Sequence, residues 1–136
     1  MVVEMPYSIQ RGLEMSTILI VEDNENNMML VRDVLEMKGY TVLGASTGKE
    51  GVRLAIERKP DLILMDIQLP DIDGITALAQ IRVDGAARKI PVLAVSASVM
   101  PEEKQKIAAS GFDDYITKPL NMKTFVETVE KFIGKA

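Results

Sequence analysis

The chain has 136 residues, 47% of them hydrophobic and 26% charged, with a formal net charge of −4. That is enough for one domain with a real core, and the acidic balance argues against a surface for DNA or RNA. Histidine and cysteine are both absent, which excludes disulfides, thiolate chemistry, histidine-based zinc sites, a histidine general base and a phosphohistidine on this chain. The lack of cysteine suits a reducing cytoplasm. No apolar run approaches the about 18 residues of a membrane span. The leading MVVEMPYSIQRGLE carries acids and has no long apolar core, so it makes a poor signal peptide.

Residues 1–15 read as an extension, because apolar periodicity begins only at Ile18; the domain is expected over 16–136. TILIV (17–21) is a short, nearly continuous apolar run, as in a strand buried on both faces. A helix is predicted from Asn24 to Lys38, with Leu30, Val31, Val34 and Leu35 at helical spacing and Gly39 at its end. Its methionines, Met28, Met29 and Met37, suit packing better than a cofactor site. TVLGA (41–45) is a weaker strand, and a second helix over 48–58 carries Val52, Ala55 and Ile56 on one face until Pro60 forbids continuation. DLILMD (61–66) is the clearest strand; LPDIDG (69–74) is turn chemistry, followed by a third helix from Ile75 to Val83 with Leu78 and Ile81 inward. IPVLAVSA (90–97) is a fourth strand. Pro101-Glu102-Glu103 opens a fourth helix that should stop near Gly111. DYITK (114–118) is a fifth strand, and the last helix, from Met122 to Ile133, turns Phe125, Val126, Val129, Phe132 and Ile133 inward. Five β–α units in strict alternation predict a doubly wound parallel sheet with five helices on two faces. No output domain is expected after the fifth helix.

Charged residues recur at the downstream ends of the apolar runs: Glu22 and Asp23 after the first, Asp66 at the tip of the third, Lys118 at the tip of the fifth. Open α/β sheets bind ligands where such strand ends converge. Three carboxylates in one cleft cannot all ionise without a counterion. With oxygen donors only, the fitting cation is Mg²⁺ or Mn²⁺. Lys118 and the hydroxyl of Ser96 add donors for an anion, and the set can stabilise a transferring phosphoryl group. Asp66 is the candidate nucleophile, giving an acyl phosphate, because the adjacent Glu22 and Asp23 are better placed to orient a metal. Plainer readings exist: Glu22 and Asp23 could cap the first helix, Ser96 could be a turn former, and Tyr115 an ordinary half-buried aromatic. Lys104 and Lys106 read as a solvated face.

ILIVEDN, DLILMDIQLPDIDG, PVLAVSA and YITKP, in this order and spacing, resemble the receiver domain of two-component response regulators over residues 17–135. The resemblance implies a flavodoxin-like sheet of order 2-1-3-4-5. It implies a phosphorylation switch in which a histidine kinase or histidine phosphotransfer protein donates a phosphoryl group to Asp66, with no separate substrate turnover. By the same resemblance, Glu22 and Asp23 form the acidic pair of a Mg²⁺ site and the backbone carbonyl of Gln68 is its third protein ligand. Ser96 and Lys118 engage the phosphoryl group, and Tyr115 is the aromatic switch. The Lys118-Pro119 bond is expected cis. A downstream protein would read the state on the face of the fourth helix, fifth strand and fifth helix; Gln68 and Ser98 would tune dephosphorylation. EDNENN and MDIQLP are shared by stand-alone regulators and by receivers of hybrid sensor kinases. Three other readings compete. A pseudo-receiver would bind without phosphorylation. A small Mg²⁺-dependent phosphatase with an aspartate nucleophile would want a DxD motif and a cap domain, and a flavodoxin-type cofactor binder would want a Ser/Thr/Gly-rich loop where EDNENN stands.

Overall fold

The computed structural model describes residues 16–97 and 100–134. The extension over 1–15 and the tuning role of Ser98 fall outside the described residues. The chain alternates as β1 (Thr17–Val21), α1 (Glu25–Met37), β2 (Thr41–Ala45), α2 (Gly48–Arg58), β3 (Leu62–Asp66), α3 (Gly74–Arg82), β4 (Val92–Ser96), α4 (Pro101–Ala109), β5 (Asp114–Thr117) and α5 (Met122–Ile133). The strands form one parallel sheet in the order β2-β1-β3-β4-β5. Both the alternation and the order are those expected from the sequence. A single turn of 3-10 helix at Ala87–Lys89, before β4, was not expected.

Alternation along the strands divides the core between two faces. Ile18, Ile20, Leu62, Leu64, Leu93 and Val95 face α1 and α5, meeting Val31, Leu35, Phe125, Val126 and Val129. Leu19, Val21, Ile63, Met65 and Val92 face α2 and α3, meeting Val52, Ala55, Ala77, Leu78 and Ile81. Each large side chain so buried contributes about 1.5–3 kcal/mol. β3 and β4 are buried along their whole length, whereas no residue of β5 is fully buried.

Four helices start on a side-chain cap: Asn24 accepts from Asn27 N–H, Thr47 from Glu50, Asp73 from Thr76 and Asn121 from Thr124. α4 starts on Pro101 instead. α1 corrects one detail of the sequence reading: Val31 and Leu35 are buried, but Leu30 is half exposed beside the exposed Met29 and Met37. Four apolar residues in six positions span more of the helix than one sheet face can cover. At the opposite end from the strand tips, Arg82 donates to the carbonyls of Arg88, Ile90 and Gly111 and to Asp113, whose carboxylate also accepts from Val92 N–H. No helix among the described residues is long and apolar enough to cross a membrane.

Candidate functional site

Register alone gathers the charged strand ends. Val21 lies beside Met65, so Glu22, the next residue, falls level with Asp66. Asp66 pairs with Val95 and Ser96 with Thr117, so Ser96 and Lys118 follow just beyond that level, one and two residues further along their strands. The Lys118 N–H closes this row by donating to the Ser96 carbonyl at 2.9 Å, and Lys118-Pro119 is cis. These are the carboxyl ends of parallel strands, and the chain reverses its winding between β1 and β3, where ligands bind in open sheets.

Glu22, Asp66 and Ser96 are 6%, 5% and 4% exposed, whereas Asp23 is open to solvent. The carboxylate oxygens of Glu22, Asp23 and Asp66 can all lie within 4.8 Å of one another. Lys118 reaches over from β5: its Nζ donates to Asp66 Oδ2 at 2.7 Å and to both Glu22 oxygens at 3.2 Å. The other Asp66 oxygen, Oδ1, accepts from Gln68 N–H at 2.9 Å. Asn27, on the first turn of α1, donates to Glu22 Oε1 at 3.0 Å. A cleft lined by Glu22, Asp23, Asn24, Asn27, Asp66, Gln68 and Lys118 opens the cluster to solvent.

Burial, and then the neighbouring Asp66 carboxylate, push the Glu22 carboxyl up to about 7, against the opposing pull of Asn27 and Lys118. Burial alone would lower the Lys118 ammonium, but the bonds and charges of Asp66 and Glu22 hold it above its ordinary value. One ammonium against three carboxylates leaves excess negative charge in the cleft. The donors are all hard oxygens, because the chain has no histidine or cysteine. A hard divalent cation fits that set, and zinc does not.

Five of the seven residues singled out in the sequence line this cleft: Glu22, Asp23, Asp66, Gln68 and Lys118. Ser96 lies buried at the end of β4, joined to Lys118 through its backbone carbonyl. The seventh, Tyr115, does not point its neighbourhood there. It is half-buried against a separate small cluster of Ile67, Ala94 and Ile107, behind the loop that follows Asp66. Lys104 and Lys106 are exposed on α4. Sequence reasoning missed Asn27, whose only signal is its place one turn into the helix that begins after the acidic pair. It also missed Gly74. A Cβ there would lie 2.5 Å from the Asp66 carbonyl oxygen and 2.9 Å from Ile67 Cα, so only glycine lets α3 start against the Asp66 strand end.

The fold and this cleft are those of a signalling receiver domain, and the comparisons agree. The family model for the response regulator receiver domain matches residues 18–130, and the chain belongs to that family. It is 42% identical over 120 residues to the polar-differentiation response regulator DivK of Brucella anthropi, covering 88% of this chain and 98% of the relative. DivK of Brucella abortus (strain 2308) matches at the same identity and extent. Among solved structures, it is similar to the receiver domain of the sensor histidine kinase PA1611 of Pseudomonas aeruginosa PAO1, with a TM-score of 0.83 and 31% identity over 90% of this chain and 100% of that one. That structure has a magnesium ion coordinated in the active site cleft. The chemotaxis protein CheY4 of Vibrio cholerae superposes with a TM-score of 0.82 at 27% identity, over 88% of this chain and 99% of that one.

Proposed function

We propose that the chain is a phosphorylation-activated switch of a two-component or phosphorelay system, with residues 16–136 as its receiver and the cytoplasm as its setting. The observation that carries this reading is the convergence of three carboxylates within 4.8 Å, with Lys118 Nζ 2.7 Å from the Asp66 carboxylate.

In this reading the donor is a phosphohistidine on a histidine kinase or histidine phosphotransfer protein. An Asp66 oxygen attacks phosphorus; the P–N bond breaks, and the partner's imidazole leaves with the electron pair and takes up a proton. Glu22, Asp23, Asp66 and the Gln68 carbonyl would hold Mg²⁺, which supplies charge neutralisation for the phosphoryl oxygens. Lys118 already touches Asp66 and is placed to follow the charge onto the new phosphoryl group. Ser96, at the buried tip of β4, offers a hydroxyl to the same group. Its movement would free room for Tyr115 to turn inward, and a downstream protein would read the change on α4, β5 and α5. Phosphorylation shifts a pre-existing equilibrium by its preference for one state.

The test is incubation with acetyl phosphate and Mg²⁺, read by intact mass. One added phosphoryl group, lost in Asp66→Asn and without metal, is the expected result. No addition under conditions where Mg²⁺ binding is demonstrated would overturn phosphorylation from a small donor. If a phosphorylated histidine phosphotransfer protein also failed as donor, the chain would be a binding module that signals without phosphorylation.

A further inference from the structure

The segment between Gln68 and Asp73 carries a proposed metal ligand, the Gln68 carbonyl, yet most of its hydrogen bonds are to its own strand and helix. Gln68 N–H bonds Asp66, Gly74 N–H bonds the Ile67 carbonyl at 2.9 Å, and Asp73 caps α3. Asp71 is different. Its Oδ1 accepts from Gly48 N–H at 2.8 Å and its Oδ2 from Lys49 N–H at 2.9 Å, the first two amides of α2. Both are amides that the helix itself leaves unpaired, at its positive end. Bonding to Lys49 first, outweighing burial, and then to Gly48 holds the Asp71 carboxyl down at about 2, so the grip persists at any ordinary pH. Gly48 makes the approach possible, since a Cβ there would lie 2.5 Å from Ile72 Cγ1 and 3.1 Å from the Ile72 carbonyl oxygen.

We infer that Asp71 is a positioning residue for the cation cleft: by gripping the start of α2 it fixes the 68–73 segment, and hence the Gln68 carbonyl, relative to Asp66. The inference rests on the proposed Mg²⁺-dependent reading of the cleft. It has a reciprocal consequence, because two coupled equilibria must strengthen each other equally. If the grip supports Mg²⁺ binding, Mg²⁺ must tighten the grip.

Mg²⁺ titration of the whole chain, the Asp71→Ala variant and the Asp71→Asn variant tests this, in about 0.5 M KCl so that the Debye length of about 4 Å screens the lost surface charge. Asp71→Ala is expected to weaken Mg²⁺ binding about tenfold or more, as loss of an outer partner of a metal ligand does. Asp71→Asn, which keeps one acceptor oxygen, should lose less. Amide exchange gives the second readout: in the parent, Mg²⁺ slows exchange at Gly48 and Lys49, and in Asp71→Ala it does not. Asp71→Ala binding Mg²⁺ within about twofold of the parent overturns the inference, as does parent exchange at Gly48 and Lys49 that ignores Mg²⁺. The exchange result decides by itself if the variant fails to fold. A parent that binds no Mg²⁺ at all removes the underlying reading instead, so the two failures are distinct.

Discussion

Lys118→Met is the sharpest single perturbation of the cleft, because one ammonium answers two buried carboxylates. Its Nζ stands 2.7 Å from Asp66 and 3.2 Å from both oxygens of Glu22. Removing one partner of a fully buried ion pair costs about 3–5 kcal/mol, chiefly because the surviving charge is stranded. Two features reduce that figure here. The lysine side chain is 22% exposed, and Glu22, already raised to about 7, can take up a proton once the lysine is gone. The expected loss at about pH 8 without metal is therefore about 2–3 kcal/mol, or about 8–12 °C in Tm for a domain of this size. Mg²⁺ in the cleft replaces the missing positive charge, so saturating metal should shrink the loss to about 1 kcal/mol or less. Urea unfolding followed by circular dichroism, in EDTA and in Mg²⁺, measures both quantities. A loss under about 1 kcal/mol in EDTA, or an equal loss in both conditions, would refute the reasoning that Lys118 is the cleft's counterion.

Further outcomes follow from other parts of the structure. Because Glu22 titrates near 7 in the folded protein, a proton competes with Mg²⁺ below that value. Calorimetry should show affinity falling about tenfold per pH unit below about 7 and level above it, with proton release on the low side only. The sign for stability is opposite to that of an ordinary paired carboxylate: the folded value lies above the ordinary glutamate value of 4.5, so metal-free stability falls as pH rises from 4.5 to about 7. Glu22→Gln should abolish that slope in urea midpoints. Gly74→Ala sets a methyl 2.5 Å from the Asp66 carbonyl oxygen; since backbone cannot yield as a side chain can, a loss of about 1–3 kcal/mol in urea unfolding is expected, with weaker Mg²⁺ binding. Arg82→Ala strips donors from three carbonyls and Asp113 at the far end of the sheet. It should cost about 2 kcal/mol while leaving Mg²⁺ affinity unchanged.

The parts legible in the sequence are those set by short-range pattern. Strands buried on both faces read as unbroken Val/Ile/Leu runs, and β1, β2, α2 and α5 carry the bounds the pattern predicts. The cleft was legible because parallel pairing converts "last residue of the run" into a common level in space, as Glu22 and Asp66 show. What was not legible depends on two segments meeting. Nothing near Asp71 in the chain announces that its partners are Gly48 and Lys49, and nothing near Asn27 announces Glu22. Leu30 was placed by spacing with Val31, Val34 and Leu35, but spacing defines a wide stripe and the sheet covers only part of it.

The acids and their cation are not mounted on equally firm ground. Glu22 and Asp66 extend from β1 and β3, neighbours at the centre of the sheet, whereas Lys118 hangs from β5, an edge strand with no fully buried residue. Edge strands with little buried apolar surface open at lower free energy than the strands between them. Fraying of β5 would thus withdraw the positive charge while both acids stay in place. In native-state hydrogen exchange the amides of β5 should exchange through such partial openings, and those of β1 and β3 only through global unfolding. If β5 opens in this way, the cleft's excess of negative charge would rise spontaneously and reversibly with each opening.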